Sequence, residues 1–312
     1  MKPTPLGLVG AGRSRAGLGP FLATFLERAG CIVTAVAGRS AERTVENAED
    51  LGKMLGHAVR PCHNLEDLCA SGIAGLVIAS PPRHHLAALQ ASISAKLPVL
   101  CEKPLVHEQQ QAKGELVVAA FSRAGILLTE NCQWPFVLPA LRELYSDLPV
   151  DTAHEVELGL SSNKLGREMV QNSLSHILSV AQAVGTVDEE TKVTGVRLYS
   201  PSLRSKSNEL CFRLRGPRID LAASLYLNYC PTAPRPAWIA VDGARMDRRI
   251  GPGYLFFFRG NGHEVSVPDP VEQLTQRFAE LVRKPDADRI DAEREAVLQR
   301  LRLYGEILCQ LP

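Results

Sequence analysis

The feature that most limits how this chain can fold is an alternation. Through residues 6–130, short apolar runs take turns with amphipathic stretches of helical period. Leu6–Gly10, Cys31–Ala37, Gly75–Ala79, Val99–Cys101 and Ile126–Glu130 read as strands. Between them Pro20–Ala29, Ser40–Leu55, His84–Ala95 and Glu108–Arg123 read as helices; Pro20 is tolerated because a first helical turn has no use for its missing N–H. Strands separated by helices cannot close as hairpins, so they predict a doubly wound parallel sheet with helices on both faces.

The second half changes character. Val156–Ser161, Lys192–Ser200, Glu209–Arg215, Ile219–Asn228, Ala237–Val241 and Tyr254–Arg259 read as strands, with one long helix, Arg167–Val184, among them. Glu272–Val282 and Ala292–Leu308 close the chain as helices. Strands in succession predict an α+β domain whose open, mainly antiparallel sheet has helices on one face. A chain of 312 residues holds two domains at roughly 150 residues each. The change of pattern divides it into residues 1–130 and 131–312.

Two positions in the first half point to a ligand. Gly10-Ala11-Gly12 lies between a strand and a helix, where closely spaced glycines let the backbone approach a pyrophosphate at a positive helix end. The usual third glycine falls at position 15, which is Arg15; glycines return at 17 and 19, so the loop is lengthened, with Arg13 and Ser14 inside it. A plain turn is the alternative. At the end of the second strand, dinucleotide folds that take NAD carry an acid for the ribose hydroxyl. Here Gly38-Arg39-Ser40 stands instead. A guanidinium pairs with a 2′-phosphate where an acid would repel it, so NADP is expected over NAD. The competing reading makes Arg39 a solvated loop residue and Ser40 the N-cap of the next helix.

The fourth strand ends in Cys101-Glu102-Lys103-Pro104. Ligands bind at that edge of open α/β sheets. A lysine there can orient a carbonyl or hydroxyl and share its proton, with Glu102 holding it by an ion pair; a surface ion pair is the alternative. Three segments together carry a resemblance: Gly10-Ala11-Gly12, Ile78-Ala79-Ser80-Pro81-Pro82-Arg83-His84-His85, and Leu100-Cys101-Glu102-Lys103-Pro104-Leu105. They resemble the glucose–fructose oxidoreductase/inositol dehydrogenase/MocA family, closely over about residues 5–135 and more loosely beyond.

The resemblance implies an N-terminal Rossmann domain, a bound nicotinamide dinucleotide, and dimers or tetramers formed through the second sheet. It implies that Lys103 lies at substrate and nicotinamide, that Ser80 and Pro81 flank the cofactor, and that His85 packs. The family's Asp-x-x-x-His helix is matched by Asn172-Ser173-Leu174-Ser175-His176, whose ends share one helix face. His176 suits a general acid/base. Asn172 departs from the pattern, since an amide hydrogen-bonds a hydroxyl but does not ionise. The stretch Thr129-Glu130-Asn131-Cys132-Gln133-Trp134-Pro135-Phe136 either lines a pocket, with Trp134 stacking on a sugar-like ring, or is a packed hinge. Arg245, Asp247, Arg248 and Arg249 make a small basic cluster that reads as a solvated turn, with an anion site as the alternative.

Lys plus Arg (35) nearly balance Asp plus Glu (34), which leaves no global field for nucleic acid. No apolar run of membrane-spanning length occurs, and the start of the chain does not read as a signal peptide. The eight cysteines lack CxxC spacing, so reduced thiols in a cytoplasmic protein are expected and no metal site is. The expected protein is an NADP-dependent oxidoreductase moving hydride to or from a carbon–oxygen centre of a small polar sugar-, polyol- or carbonyl-type substrate. Its alternative is a dinucleotide-binding sensor without turnover.

Overall fold

The computed structural model describes residues 2–12, 17–199, 202 and 204–311. They form two compact units, one of residues 1–131 with 271–298, the other of 132–270 with 299–312. In the first, the elements run β1 (Thr4–Val9), α1 (Gly19–Arg28), β2 (Cys31–Ala37), α2 (Ala41–Leu55), β3 (Arg60–Cys62), α3 (Leu65–Cys69), β4 (Leu76–Ile78), α4 (His85–Ser94), β5 (Val99–Cys101), α5 (Gln111–Arg123) and β6 (Leu128–Glu130). The strands are ordered β3-β2-β1-β4-β5-β6 and all pair in parallel. Leu6, Leu8, Leu76, Ile78, Val99 and Leu100 are completely buried, adjacent parity included, because helices cover both faces.

The order of strands reverses between β1 and β4, which opens a crevice at their carboxyl ends. Five strands were expected and six occur among the described residues. The extra one, β3, is three residues of edge strand containing Pro61, too short and too polar to show a period.

The second unit holds α6 (Leu138–Leu144), β7 (Glu155–Ser162), α7 (Gly166–Val184), β8 (Lys192–Tyr199), β9 (Ser207–Gly216), β10 (Ile219–Tyr229), β11 (Ala237–Val241), β12 (Ala244–Ile250), β13 (Phe256–Gly260) and β14 (His263–Val267). Their order is β14-β13-β12-β11-β7-β10-β9-β8, antiparallel throughout except for β7 beside β10. Leu221, Ala223, Leu225 and Leu227 alternate inward along β10 and pack in one core with Val170, Leu174, Ile177, Leu178 and Ala181 of α7.

Two corrections follow. The stretch expected to be a solvated turn around Arg245–Arg249 is strand β12, pairing with β11 and β13. Three charged residues in succession, Asp247-Arg248-Arg249, hid the strand signal. The closing helices α8 (Pro270–Arg283) and α9 (Ala287–Gln310) were assigned whole to the second domain, yet residues 271–298 pack in the first unit. There Glu272 pairs with Arg28 at 3.4 Å, Arg294 donates to the Ile126 carbonyl at 3.4 Å, and Phe278 is fully buried. The boundary is therefore not a single point in the sequence, because amphipathic helices dock wherever an apolar face is left uncovered.

Candidate functional site

The crevice of the first unit is built by close backbone approach. Gly10 follows β1 with φ +95°, a conformation that favours glycine, and a Cβ placed there would lie 2.7 Å from the Ala79 carbonyl carbon and the Ser80 nitrogen. Gly19 heads α1, and a Cβ on it would run into the Gly10 carbonyl oxygen. Gly19 is thus the glycine that lets helix and strand pack, four positions beyond where a short loop would put it. Gly12 stands at the mouth of the loop; Arg13 and Ser14 lie outside the described residues.

At the end of β2, Gly38 leaves room for the Thr44 hydroxyl, since a Cβ would lie 2.7 Å from it. Ser40 caps α2 in extended conformation, its hydroxyl accepting the Arg43 N–H at 3.5 Å, so the capping reading of Ser40 holds. Arg39 is exposed. Burial, then the Arg83 charge and last that of Arg39, hold the His84 imidazole below its ordinary value, while Arg83 Nε donates to His84 Nε2 at 3.1 Å. Arg83 and His84 were visible only as letters within a motif; their nearness to Arg39 comes from the adjacency of β1 to both β2 and β4.

Ser80 follows β4, and its Oγ is buried without a partner; Pro81 leads into a tight 3-10 turn, Pro82–His84. His85 then ties two loops together. Its Nε2 meets the Ser80 carbonyl at 2.6 Å, and its Nδ1 meets the carbonyls of Pro104 and Leu105 at 3.1 and 3.2 Å. A neutral imidazole donates through one nitrogen only, so these contacts favour a proton that burial opposes. Burial wins, holding the fully buried ring below its ordinary value against the carbonyls and the Glu130 charge. The unfolded chain then takes up a proton that the folded chain refuses. This stability is whole above the ordinary imidazole value and is lost as pH falls from there to the folded value. The expected result is a thermal midpoint that drops between about pH 7.5 and about pH 5.5, and drops less in His85→Gln. Equal drops in the two proteins count against it.

Glu102 and Lys103 leave the end of β5, and the Glu102 N–H donates to the Ile78 carbonyl of β4 at 2.8 Å. The Glu102 carboxylate accepts from the Asn131 amide, whose own backbone N–H is held by the Cys101 carbonyl at 2.8 Å. Burial pushes the Glu102 carboxyl up; the Lys103 charge and the Asn131 bond pull it back. Glu130 accepts the Leu105 N–H at 3.0 Å. Asn131 is 3% exposed and its Oδ1 has no partner. Sequence reasoning placed Glu130 and Asn131 in a pocket or hinge; in the fold they brace the Glu102–Leu105 loop, because β6 runs beside β5.

In the second unit, α7 carries Asn172 and His176 four residues apart. His176 is 6% exposed, and the Asn172 amide donates back to the Glu168 carbonyl at 2.7 Å. Cys132 Sγ donates to the Ser175 carbonyl at 3.5 Å, which seats the junction segment on this helix. Trp134 is 4% exposed and stands edge-on to Phe258 at 6.4 Å. It is core, so the packed-hinge reading holds for it and stacking on a ligand does not. Arg245 pairs with Asp247 over the Trp238 ring, and Arg249 with Glu264 over Phe257.

A glycine cradle at a switch point in a six-stranded parallel sheet, with a second, mainly antiparallel unit, defines a dinucleotide-binding class of two-domain protein. The family model described as "Oxidoreductase family, NAD-binding Rossmann fold" matches residues 5–131. Over those residues the chain is similar to that family, which groups glucose–fructose oxidoreductase, inositol dehydrogenase and MocA. Inositol 2-dehydrogenase of Streptomyces avermitilis is 37% identical over 101 residues, 32% of this chain and 28% of that protein. The match therefore spans little more than a quarter of that relative. A 3-ketoreductase from Actinomadura kijaniata, solved with NADP, superposes with a TM-score of 0.71 at 16% identity, over 98% of this chain and 97% of its own. UDP-N-acetylglucosamine 3-dehydrogenase from Acidithiobacillus ferrooxidans gives 0.67 at 16%, over 99% of each chain. At these identities the likeness establishes the fold. The residues present fit a nicotinamide dinucleotide: the cradle at Gly10 would be filled by any side chain, and Ser80 Oγ and Asn131 Oδ1 are buried polar atoms awaiting partners.

Proposed function

We propose that the protein is an NADP-dependent oxidoreductase acting on a carbon–oxygen centre of a sugar- or polyol-like substrate. The observation that carries this reading is the braced Glu102–Lys103 pair at the carboxyl end of β5, in the same sheet edge as the Gly10 cradle. Gly10, Gly12, Arg13 and Ser14 hold the pyrophosphate, and Ser80 and Pro81 flank the dinucleotide. Gly38 and Ser40 shape the turn that presents Arg39 to a 2′-phosphate. The nicotinamide, when bound, supplies or accepts the hydride. Lys103 hydrogen-bonds the substrate oxygen and offsets the charge that gathers there; Glu102 helps to hold the lysine in place. His176 carries the hydroxyl proton as acid or base, and Asn172 binds a neighbouring hydroxyl.

The names of the similar proteins, a ketoreductase, a sugar-nucleotide dehydrogenase and an inositol dehydrogenase, support a polyhydroxylated substrate. Assembly of copies through the outer face of the large sheet is part of the same reading. Buried thiols such as Cys31 and Cys101, pushed up by burial, suit a reducing cytoplasm. Arg39→Ala is expected to weaken NADPH binding about tenfold and leave NADH within about twofold, read by fluorescence titration. Equal losses for both cofactors remove the 2′-phosphate assignment. The missing acid at Asn172 favours a second reading, a cofactor-binding sensor. Tight NADPH binding with no oxidation by any member of a sugar and polyol panel selects it.

A further inference from the structure

Arg248 does what its neighbours on β12 do not. Arg245, Asp247 and Arg249 lie on the outer face of the sheet in ion pairs, whereas Arg248 has the parity of Met246, which is fully buried in the helix-covered core. Its guanidinium stands 5.8 Å from the Trp134 ring centroid, and Nη2 donates to the Arg235 carbonyl at 2.6 Å. The Nε is buried and has no acceptor, and no carboxylate of the described residues is within ion-pair distance. Burial holds this guanidinium below its ordinary value; the Asp269 charge pulls it back from farther away, and the Arg235 charge adds to the lowering. A dry guanidinium N–H without an acceptor is unfavourable, and a ligand oxygen is one group that would satisfy it.

The topology places this group near the sheet edge at which α7 begins. β12 runs in the direction of β7, each being antiparallel to β11, so both end at the same edge of the sheet. α7 starts at that edge, four residues after β7 ends, and Asn172 follows about 9 Å along the helix. The segment that Cys132 ties to the Ser175 carbonyl of α7, next to His176 in sequence, continues to Trp134 beneath the guanidinium.

We propose that Arg248 is the anion-recognition residue of the substrate site, taking a carboxylate or phosphate carried by a sugar-like substrate. The proposal rests on the oxidoreductase reading above and narrows it. In the reading proposed above, the Gly10 turn and Arg39 take the cofactor's phosphates, which leaves this cation for the substrate. A planar guanidinium fits either oxyanion with directed hydrogen bonds, and a partly dry setting strengthens them.

The test is calorimetric titration of the NADPH-loaded protein, at one ionic strength, with D-glucose, D-glucuronate and D-glucose 6-phosphate. The wild type is expected to bind one acid about thirtyfold or more tightly than glucose, and which acid wins tells carboxylate from phosphate. Arg248→Met is expected to reduce that preference to within about threefold while NADPH affinity stays unchanged, and Arg248→Lys to retain part of it, which also covers the case in which the methionine variant does not fold. A panel in which neither acid outranks glucose, whether all bind alike or none binds, overturns the proposal, as does a preference that survives Arg248→Met. NADPH binding is read separately by fluorescence: if it is present while the acid preference is missing, only the Arg248 assignment falls. If NADPH does not bind, the oxidoreductase reading falls, and titration of the cofactor-free protein still reads Arg248.

Discussion

Lys103→Met is expected to lower turnover by about a thousandfold or more on any substrate the protein oxidises, while the NADPH dissociation constant moves by no more than about threefold. The side chain of methionine nearly matches lysine in length and leaves the loop its apolar filling, so what is removed is the ammonium. The loop itself is braced from elsewhere. Glu102 keeps its bond from Asn131, Leu105 donates to Glu130, and His85 meets the carbonyls of Pro104 and Leu105. Those contacts do not pass through the Lys103 ammonium, so the cofactor's surroundings survive the change. Steady-state kinetics set beside fluorescence titration separate the outcomes. Full activity in the variant removes Lys103 from the chemistry, and equal losses in binding and turnover make it a cofactor ligand instead.

Gly10→Ala is the second large effect, and it acts at the opposite step. The alanine would have to hold φ near +95° and place its methyl 2.7 Å from the backbone of Ala79 and Ser80. Neither neighbour is the far end of a flexible side chain, so the strands themselves must part. Overpacking of this kind together with left-handed strain costs about 3 kcal/mol. NADPH affinity is expected to fall about a hundredfold or more, because the turn that brings backbone to pyrophosphate no longer closes. The thermal midpoint is expected to fall by several degrees, roughly in proportion to that strain. Wild-type affinity in a well-folded Gly10→Ala protein means that the pyrophosphate does not lie on this turn.

The two expectations differ in how legible they were. Gly10 and Lys103 stand out in the chain because strand, loop and helix signals surround them, and local signals of that kind survive without a tertiary context. The same holds for the long helix that carries Asn172 and His176, whose apolar period is unbroken along the face packed on the sheet. β12 is hard to read from the sequence because Asp247-Arg248-Arg249 puts three charged residues in succession, and in one dimension such a run looks like a loop. Trp134 was open between ring-stacking and packing, since an indole at a domain junction suits both; only its neighbour Phe258, 124 positions later in the chain, decides for the core.

By itself the sequence determined the two-part architecture, the parallel sheet of the first unit, the glycine turn and the lysine that follows β5. These follow from periodicity and from residues with unusual backbone freedom, which act over a few neighbours. The tertiary structure alone decided that Gly19 is the glycine of close helix–strand packing, that Asn131 braces Glu102, that residues 271–298 join the first unit, and that Arg248 turns inward while Arg245 and Arg249 turn out. Each of these depends on which distant segment fills the space beside a residue. Burial and the pairing of polar groups are settled by that neighbour, and no spacing along the chain encodes it.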